Sequence, residues 1–81
     1  MLKRSKIIVY GTHICPWCQL AREFLQAHKI PFREAYVDKN ARAAATMIKK
    51  SGQRHVPVIQ IGDEIIIGFD EERLRKTLNV R

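Results

Sequence analysis

Only two cysteines occur in these 81 residues, at positions 15 and 18. So few exclude a disulfide-stapled secreted fold, which relies on several bridges to make up for a thin core. Long apolar runs are also missing. Pure ones such as Ile65-Ile66-Ile67 fall far short of the roughly 20 residues a membrane-spanning helix needs. The opening MLKRSKIIVYG is basic, as a signal peptide would be. However, its apolar run, Ile7 to Tyr10, is shorter than an h-region of about 7–15 residues, and no small-residue cleavage site follows. There is no internal repeat, low-complexity tract or linker. These absences point to one domain over residues 1–81, in the cytoplasm and without a membrane partner. A thiol pair in that reducing compartment is more often catalytic or metal-binding than structural.

Acidic residues are scarce as well: 8 against 15 Lys and Arg, a net charge of +7. The imbalance is confined to residues 1–50, which carry ten basic residues and three acids, whereas residues 51–81 carry five of each. A basic half raises nucleic-acid binding as one reading, testable by its steep salt dependence. The basic residues are scattered over several elements, and no aromatic-rich strand motif accompanies them. This favours a solvated surface suited to acidic protein partners.

What is present is order. Apolar residues make up 46% of the chain, enough for a core even though a chain this short buries only about 60% of its unfolded surface. KIIVY (6–10) is a β-branched run closed by Gly11 and reads as a buried strand. From Trp17, apolar residues at 17, 20, 21, 24 and 25 form the stripe of an amphipathic helix. Pro16 suits its first position, and Pro31 stops it near His28-Lys29. PFREAYVD (31–38) reads as a second strand. Asn40 is a candidate cap for a helix over 41–50 with Ala44, Met47, Ile48 and Ser51 on one face, and Gly52 is its left-handed stop. VPVIQI (56–61) and EIII (64–67) read as strands joined by a Gly62-Asp63 hairpin. Asp70 caps a last helix with acids in its first turn, Arg75 and Lys76 later, and Leu74 and Leu78 inward. The expected class is α/β, in the order β-α-β-α-β-β-α. A right-handed parallel crossover and an antiparallel hairpin make the sheet mixed and four-stranded.

Cys15 and Cys18 lie one helical turn apart at the mouth of the first helix, facing the same side. The helix start offers unpaired N–H groups and the positive end of its dipole, and both favour a thiolate at Cys15. Cys15 is therefore the expected attacking group. Cys18, set back into the helix, is the expected resolving thiol. Pro16 stiffens the turn, and Trp17 offers a flat apolar surface beside the sulfur. A CxxC that follows a buried strand and opens an amphipathic helix reads as a thioredoxin-like redox motif. Three other readings stand beside it. The first is an inert structural pair. The second is a Cys2His2 metal site completed by His13 and His55. The third is a metal or iron–sulfur carrier working through Cys15.

HVPVI (55–59) adds a second signal. Proline opening an apolar strand cannot donate to a ladder, and a cis Val56-Pro57 bond would account for it. The Val56 backbone is then placed to pair with a bound chain like an added strand.

CPWC after a strand, SGQRHVPVI and IIGFDEERL together resemble glutaredoxin, in particular the short bacterial and archaeal glutaredoxin-like redoxins. The resemblance runs from about Lys6 to Leu78. It implies a thioredoxin-like fold and a thiol-disulfide oxidoreductase, an electron carrier in cell redox homeostasis, with Cys15 as nucleophile, Cys18 as resolving thiol and Pro57 as the cis-proline. It implies no bound cofactor, with glutathione as one candidate reductant and a thioredoxin reductase as the other. Disulfide-containing proteins or glutathione mixed disulfides are the implied partners, and a monomer is expected. Carried over, the glutathione groove would be lined by Thr12, Trp17, Gln53, Arg54, Val56, Phe69 and Asp70. Two positions depart from the family pattern. Thr12 stands where a lysine is usual. Ile67-Gly68, followed by Phe69, stands where two glycines are usual. Redoxins that accept electrons from thioredoxin reductase and pass them to ribonucleotide reductase also depart from the glutathione pattern. His13 and Arg54 are candidate replacements for the missing cation.

Overall fold

The computed structural model describes residues 6–80. Lys3, Arg4 and Arg81, which contribute to the basic charge, and the first five residues of the N-terminal reading lie outside the described residues. The elements run β1 (Ile7–Gly11), α1 (Pro16–Ala27), β2 (Arg33–Tyr36), α2 (Ala41–Ser51), β3 (Val58–Ile61), β4 (Glu64–Ile67) and α3 (Glu71–Leu78). Both the order and the type of every element match the expectation. The second and third strands are shorter than expected. Residues 31–32 and 37–38 lie outside β2, and Val56 and Pro57 precede β3.

The sheet order is β2-β1-β3-β4. β1 runs parallel to β2, pairing Val9 with Glu34, and antiparallel to β3, pairing Val9 with Ile59. β4 returns antiparallel to β3 through the Gly62-Asp63 turn. Side chains of a strand alternate between faces, and here the two faces build two cores. Ile7, Val9, Ile59, Ile61 and Ile66 pack with Ala21, Phe24 and Leu25 of α1 and Leu74 of α3. Tyr10 and Val58 pack with Met47 of α2 on the other face, flanked by Ile8, Ala35 and Ile65. β1 is therefore buried on both sides, which explains its unbroken apolar run.

Each helix begins on a side chain that accepts the N–H three residues on. Asn40 caps α2 through Ala43 at 3.0 Å, and Asp70 caps α3 through Arg73 at 3.1 Å. In α1 the acceptor is a sulfur: Cys15 Sγ receives the Cys18 N–H at 3.2 Å. Gly52 ends α2 at a φ of 73°, where a side chain would be strained.

Two expected faces are corrected. Trp17 and Leu20 do not join the inward stripe of α1; they are 59% and 40% exposed. The inward stripe is Cys18, Ala21, Arg22, Phe24 and Leu25, with Ala21, Phe24 and Leu25 as expected and Cys18 and Arg22 in place of Trp17 and Leu20. Its phase is set by Cys18 meeting the end of β1, with the arginine stem filling a place that a polar letter conceals. In α2, Met47 is buried but Ile48 is exposed, because the side chains one residue apart point about 100° from each other.

Truncation separates the two classes. Leu25→Ala should lose about 2–5 kcal/mol in urea unfolding, and Ile48→Ala less than about 0.5 kcal/mol. Equal losses would contradict this packing.

Candidate active site

The candidate residues gather at one end of the sheet. β1 finishes there with Gly11, followed by Thr12 and His13, and α1 starts there with Cys15. β2 also ends there, leading to Asp38. Antiparallel β3 begins there after Val56 and Pro57, and β4 ends there before Phe69 and Asp70. The Val56-Pro57 peptide is cis. The Pro57 carbonyl accepts the Gly68 N–H at 2.8 Å, which ties the proline loop to the turn before α3. No backbone hydrogen bond joins Val56 to another described residue.

Both cysteines are free thiols. Cys15 is partly exposed at the cap of α1, and Cys18 behind it is 0% exposed. The cap hydrogen bond ties the two together, and Gly11 seats Cys18. A Cβ on Gly11 would lie 2.7 Å from Cys18 Sγ, closer than real atoms pack, and a tight 3.1 Å from its Cβ. Only glycine lets the sulfur sit against the strand. Burial pushes the Cys18 thiol up to about 11, and hydrogen bonding with Cys15 pushes the same way. The Thr12 backbone and the Arg22 charge act in the opposite sense. The arrangement is one accessible sulfur held at a helix start and one sheltered thiol a turn behind it, chemistry suited to making and breaking a disulfide.

Around the thiols lie groups that the sequence reading did not single out. Arg22 is 8% exposed. Its Nη1 lies 3.8 Å from Glu34 Oε1, and its Nη2 donates to Gln19 Oε1 at 3.2 Å. Tyr36 donates to the same Glu34 oxygen, and this bond, more than burial, raises the Tyr36 pKa. Tyr36 also stacks on His13 with ring centroids 3.8 Å apart, and His13 Nδ1 lies 3.5 Å from Asp38. Arg22 was open to discovery in the sequence, since it falls four residues after Cys18 and so on the same helix face. Glu34, Tyr36 and Asp38 were not, because only strand pairing brings them here.

The sequence profile of the glutaredoxin family matches residues 7–66. The chain belongs to the glutaredoxin family. A glutaredoxin-like 8.6 kDa protein of the rubredoxin operon of Clostridium pasteurianum is 35% identical over 72 residues, covering 89% of this chain and 96% of its own. Glutaredoxin 3 of Escherichia coli K12 is 34% identical over 67 residues, covering 83% and 81%. The crystal structure of a glutaredoxin from Archaeoglobus fulgidus superposes with a TM-score of 0.84 at 28% identity, covering 91% of this chain and 86% of that one. The fold is thioredoxin-like, as glutaredoxins have, and family membership supports thiol-disulfide oxidoreductase activity.

The residues expected to line a glutaredoxin's glutathione groove are unevenly placed. Trp17 is exposed beside Cys15, and Arg54 is exposed on the loop before Val56. The Gln53 amide is engaged by its own loop. Its Oε1 accepts the His55 N–H at 2.7 Å, and its Nε2 donates to the His55 carbonyl and to Ser51 Oγ, both at 3.1 Å. Phe69 packs on the core, edge to face with Phe24 at 6.2 Å. The Asp70 carboxylate is the cap of α3. His13, a candidate substitute cation, is held by Tyr36 and Asp38. Among the described residues, no three His, Cys, Asp or Glu side chains come together in a way that would hold a metal ion, so His13 and His55 do not join the two cysteines.

The buried thiol makes stability depend on alkaline pH. Folded Cys18 keeps its proton to about 11, whereas the unfolded thiol loses it near 9.0. The native state therefore binds the extra proton, so the contribution is complete below pH 9 and is lost as pH rises through 11. Urea unfolding should show a decline of up to about 2–3 kcal/mol over that window. Cys18→Ala should flatten most of it, leaving a smaller slope of the same sign from Tyr10 and Tyr36, whose pKa values are also raised. An unchanged slope in the variant would show that Cys18 burial does not cause the decline.

Proposed function

We propose that the protein is a dithiol thiol-disulfide oxidoreductase of the cytoplasm, with Cys15 as nucleophile and Cys18 as resolving thiol. The observation that carries this reading is the asymmetry of the pair: Cys15 partly exposed at the cap of α1, Cys18 wholly buried behind it and bonded to it through its N–H. The Cys15 thiolate attacks one sulfur of a substrate disulfide. A Cys15–substrate disulfide forms, the substrate S–S bond breaks, and one substrate thiolate leaves and takes a proton. Cys18 gives up its proton and attacks Cys15 Sγ. The Cys15–Cys18 disulfide forms, and the second substrate thiol departs. Two electrons have passed from the dithiol to the substrate, and an external reductant returns them.

Val56 supports the docking of an extended substrate chain, since its backbone is unpaired among the described residues and follows the strand direction of β3. Trp17 supplies an exposed apolar surface beside the sulfur. The partners in this reading are protein disulfides or glutathione mixed disulfides.

Specific observations favour a second reading of the electron source. Thr12 brings no cation, His13 is held by Asp38, and Phe69 packs inward. Each weakens the groove for glutathione and supports a redoxin reduced by a thioredoxin reductase, with ribonucleotide reductase as the acceptor in that reading.

Disulfide-reducing turnover with glutathione, glutathione reductase and NADPH, set beside turnover with thioredoxin reductase and NADPH, tests both readings. Cys15→Ser should lose at least about 10²-fold in whichever system is active. Full turnover by that variant would overturn the nucleophile assignment. Activity with the thioredoxin reductase system alone would establish the second reading, and activity with glutathione alone would exclude it.

A further inference from the structure

Arg22 is the only charged side chain buried among the described residues, and its purpose is not explained by packing alone. A buried charge is costly unless it is paired and hydrogen-bonded. Arg22 meets Glu34 at 3.8 Å, a loose ion pair, and takes a neutral oxygen from Gln19 at 3.2 Å. The Glu34 oxygen it faces is shared with the Tyr36 hydroxyl. Its charge is thus held in place without being tightly cancelled. The guanidinium also borders the buried thiol. Nη1 lies 3.9 Å from the point where a Gly11 Cβ would stand, and Cys18 Sγ lies 2.7 Å from that same point. Cation and sulfur therefore border the same small space beside Gly11.

We propose that Arg22 is a positioning residue for the resolving step: its guanidinium, held by Gln19 and only loosely balanced by Glu34, stabilises the thiolate that Cys18 must become before it attacks Cys15. This rests on the dithiol reading above. The titratable and charged groups around Cys18 are Cys15 and Arg22 from α1 and, through Arg22, Glu34 and Tyr36 from β2; β1 contributes only the Gly11 and Thr12 backbone. Burial disfavours the Cys18 thiolate most, the Thr12 backbone hydrogen bond is the larger influence against that penalty, and Arg22 adds the one positive charge acting in the same sense as Thr12. In the step itself, Cys18 loses its proton to solvent and its sulfur bonds to Cys15 Sγ. The Cys15–substrate S–S bond breaks, and the substrate sulfur leaves with the electron pair.

The test separates the two attacks in one trace. Reduced full-length protein is mixed with less than one equivalent of dithiobis(nitrobenzoate), and the released thionitrobenzoate is followed by absorbance. Attack by Cys15 releases the first thionitrobenzoate in a phase whose rate rises with protein concentration. Attack by Cys18 on the resulting mixed disulfide releases the second at a rate independent of protein concentration. Arg22→Met keeps the apolar stem and removes the charge. It should slow the second phase relative to the first by about three- to tenfold near neutral pH and move its pH profile to the alkaline side. Arg22→Lys should recover most of the rate, and Glu34→Gln, which removes the opposing carboxylate, should accelerate the second phase. A second phase in Arg22→Met with wild-type rate and pH profile would overturn the proposal. If circular dichroism shows Arg22→Met unfolded, Glu34→Gln decides, and an unchanged or slower second phase overturns it. Absence of a second release from the wild-type protein would instead overturn the dithiol reading, and this inference with it.

Discussion

Nothing larger than hydrogen fits on Gly11, because the Cys18 sulfur occupies that space. This contact seats the first turn of α1 against the end of β1, and much of the site follows from it. With Cys18 facing the strand, the helix phase sends Arg22 inward one turn later and Leu25 into the core below. The same phase turns Trp17 and Leu20 towards solvent. Cys15 itself cannot turn in with Cys18. It remains at the helix mouth, where its sulfur takes the capping hydrogen bond. One missing side chain on a strand thus decides which thiol is sheltered and which is presented.

The cap of α1 joins structural and chemical roles in one atom. Asn40 and Asp70 perform the ordinary version for α2 and α3, satisfying an N–H that the helix leaves without a partner. Cys15 fills the same place with a polarisable sulfur. The sulfur that closes the helix start is thus the same atom that stands accessible at its mouth. Across the sheet, α2 has no part in this chemistry. It seals the Tyr10, Val58 and Met47 core and keeps β1 dry on its second face.

The sequence was most informative where a residue type has one dominant use. Asn40, Gly52 and Asp70 mark helix ends because few residues serve there, and all three stand where expected. CPWC and Val56-Pro57 were legible for the same reason. The phase of α1 was not. Trp17 and Leu20 look like core, Arg22 looks like surface, and a contact with Gly11 reverses all three. Periodicity shows that a helix has two faces but not which neighbour sets the rotation between them. The His13, Tyr36 and Asp38 cluster was hidden for another reason. His13 stands more than twenty positions from Tyr36 and Asp38 and meets them only because β2 lies parallel beside β1. The occupancy of the glutathione groove was equally invisible, since Gln53, Phe69 and Asp70 are recognisable as types while their hydrogen bonds and packing are not.

The turn at Gly62-Asp63 lies at the opposite end of the sheet from every one of these groups, with the Gly62 N–H bonded to the Lys6 carbonyl at 2.9 Å and Asp63 exposed. The molecule is therefore polar in the architectural sense, with a working end and a blank end about a strand's length apart. A dye, a surface linker or a fused reporter attached at Asp63 would point away from Cys15, leaving the dithiol open to its partners. That makes this small domain a convenient head for an immobilised or fluorescent redox probe.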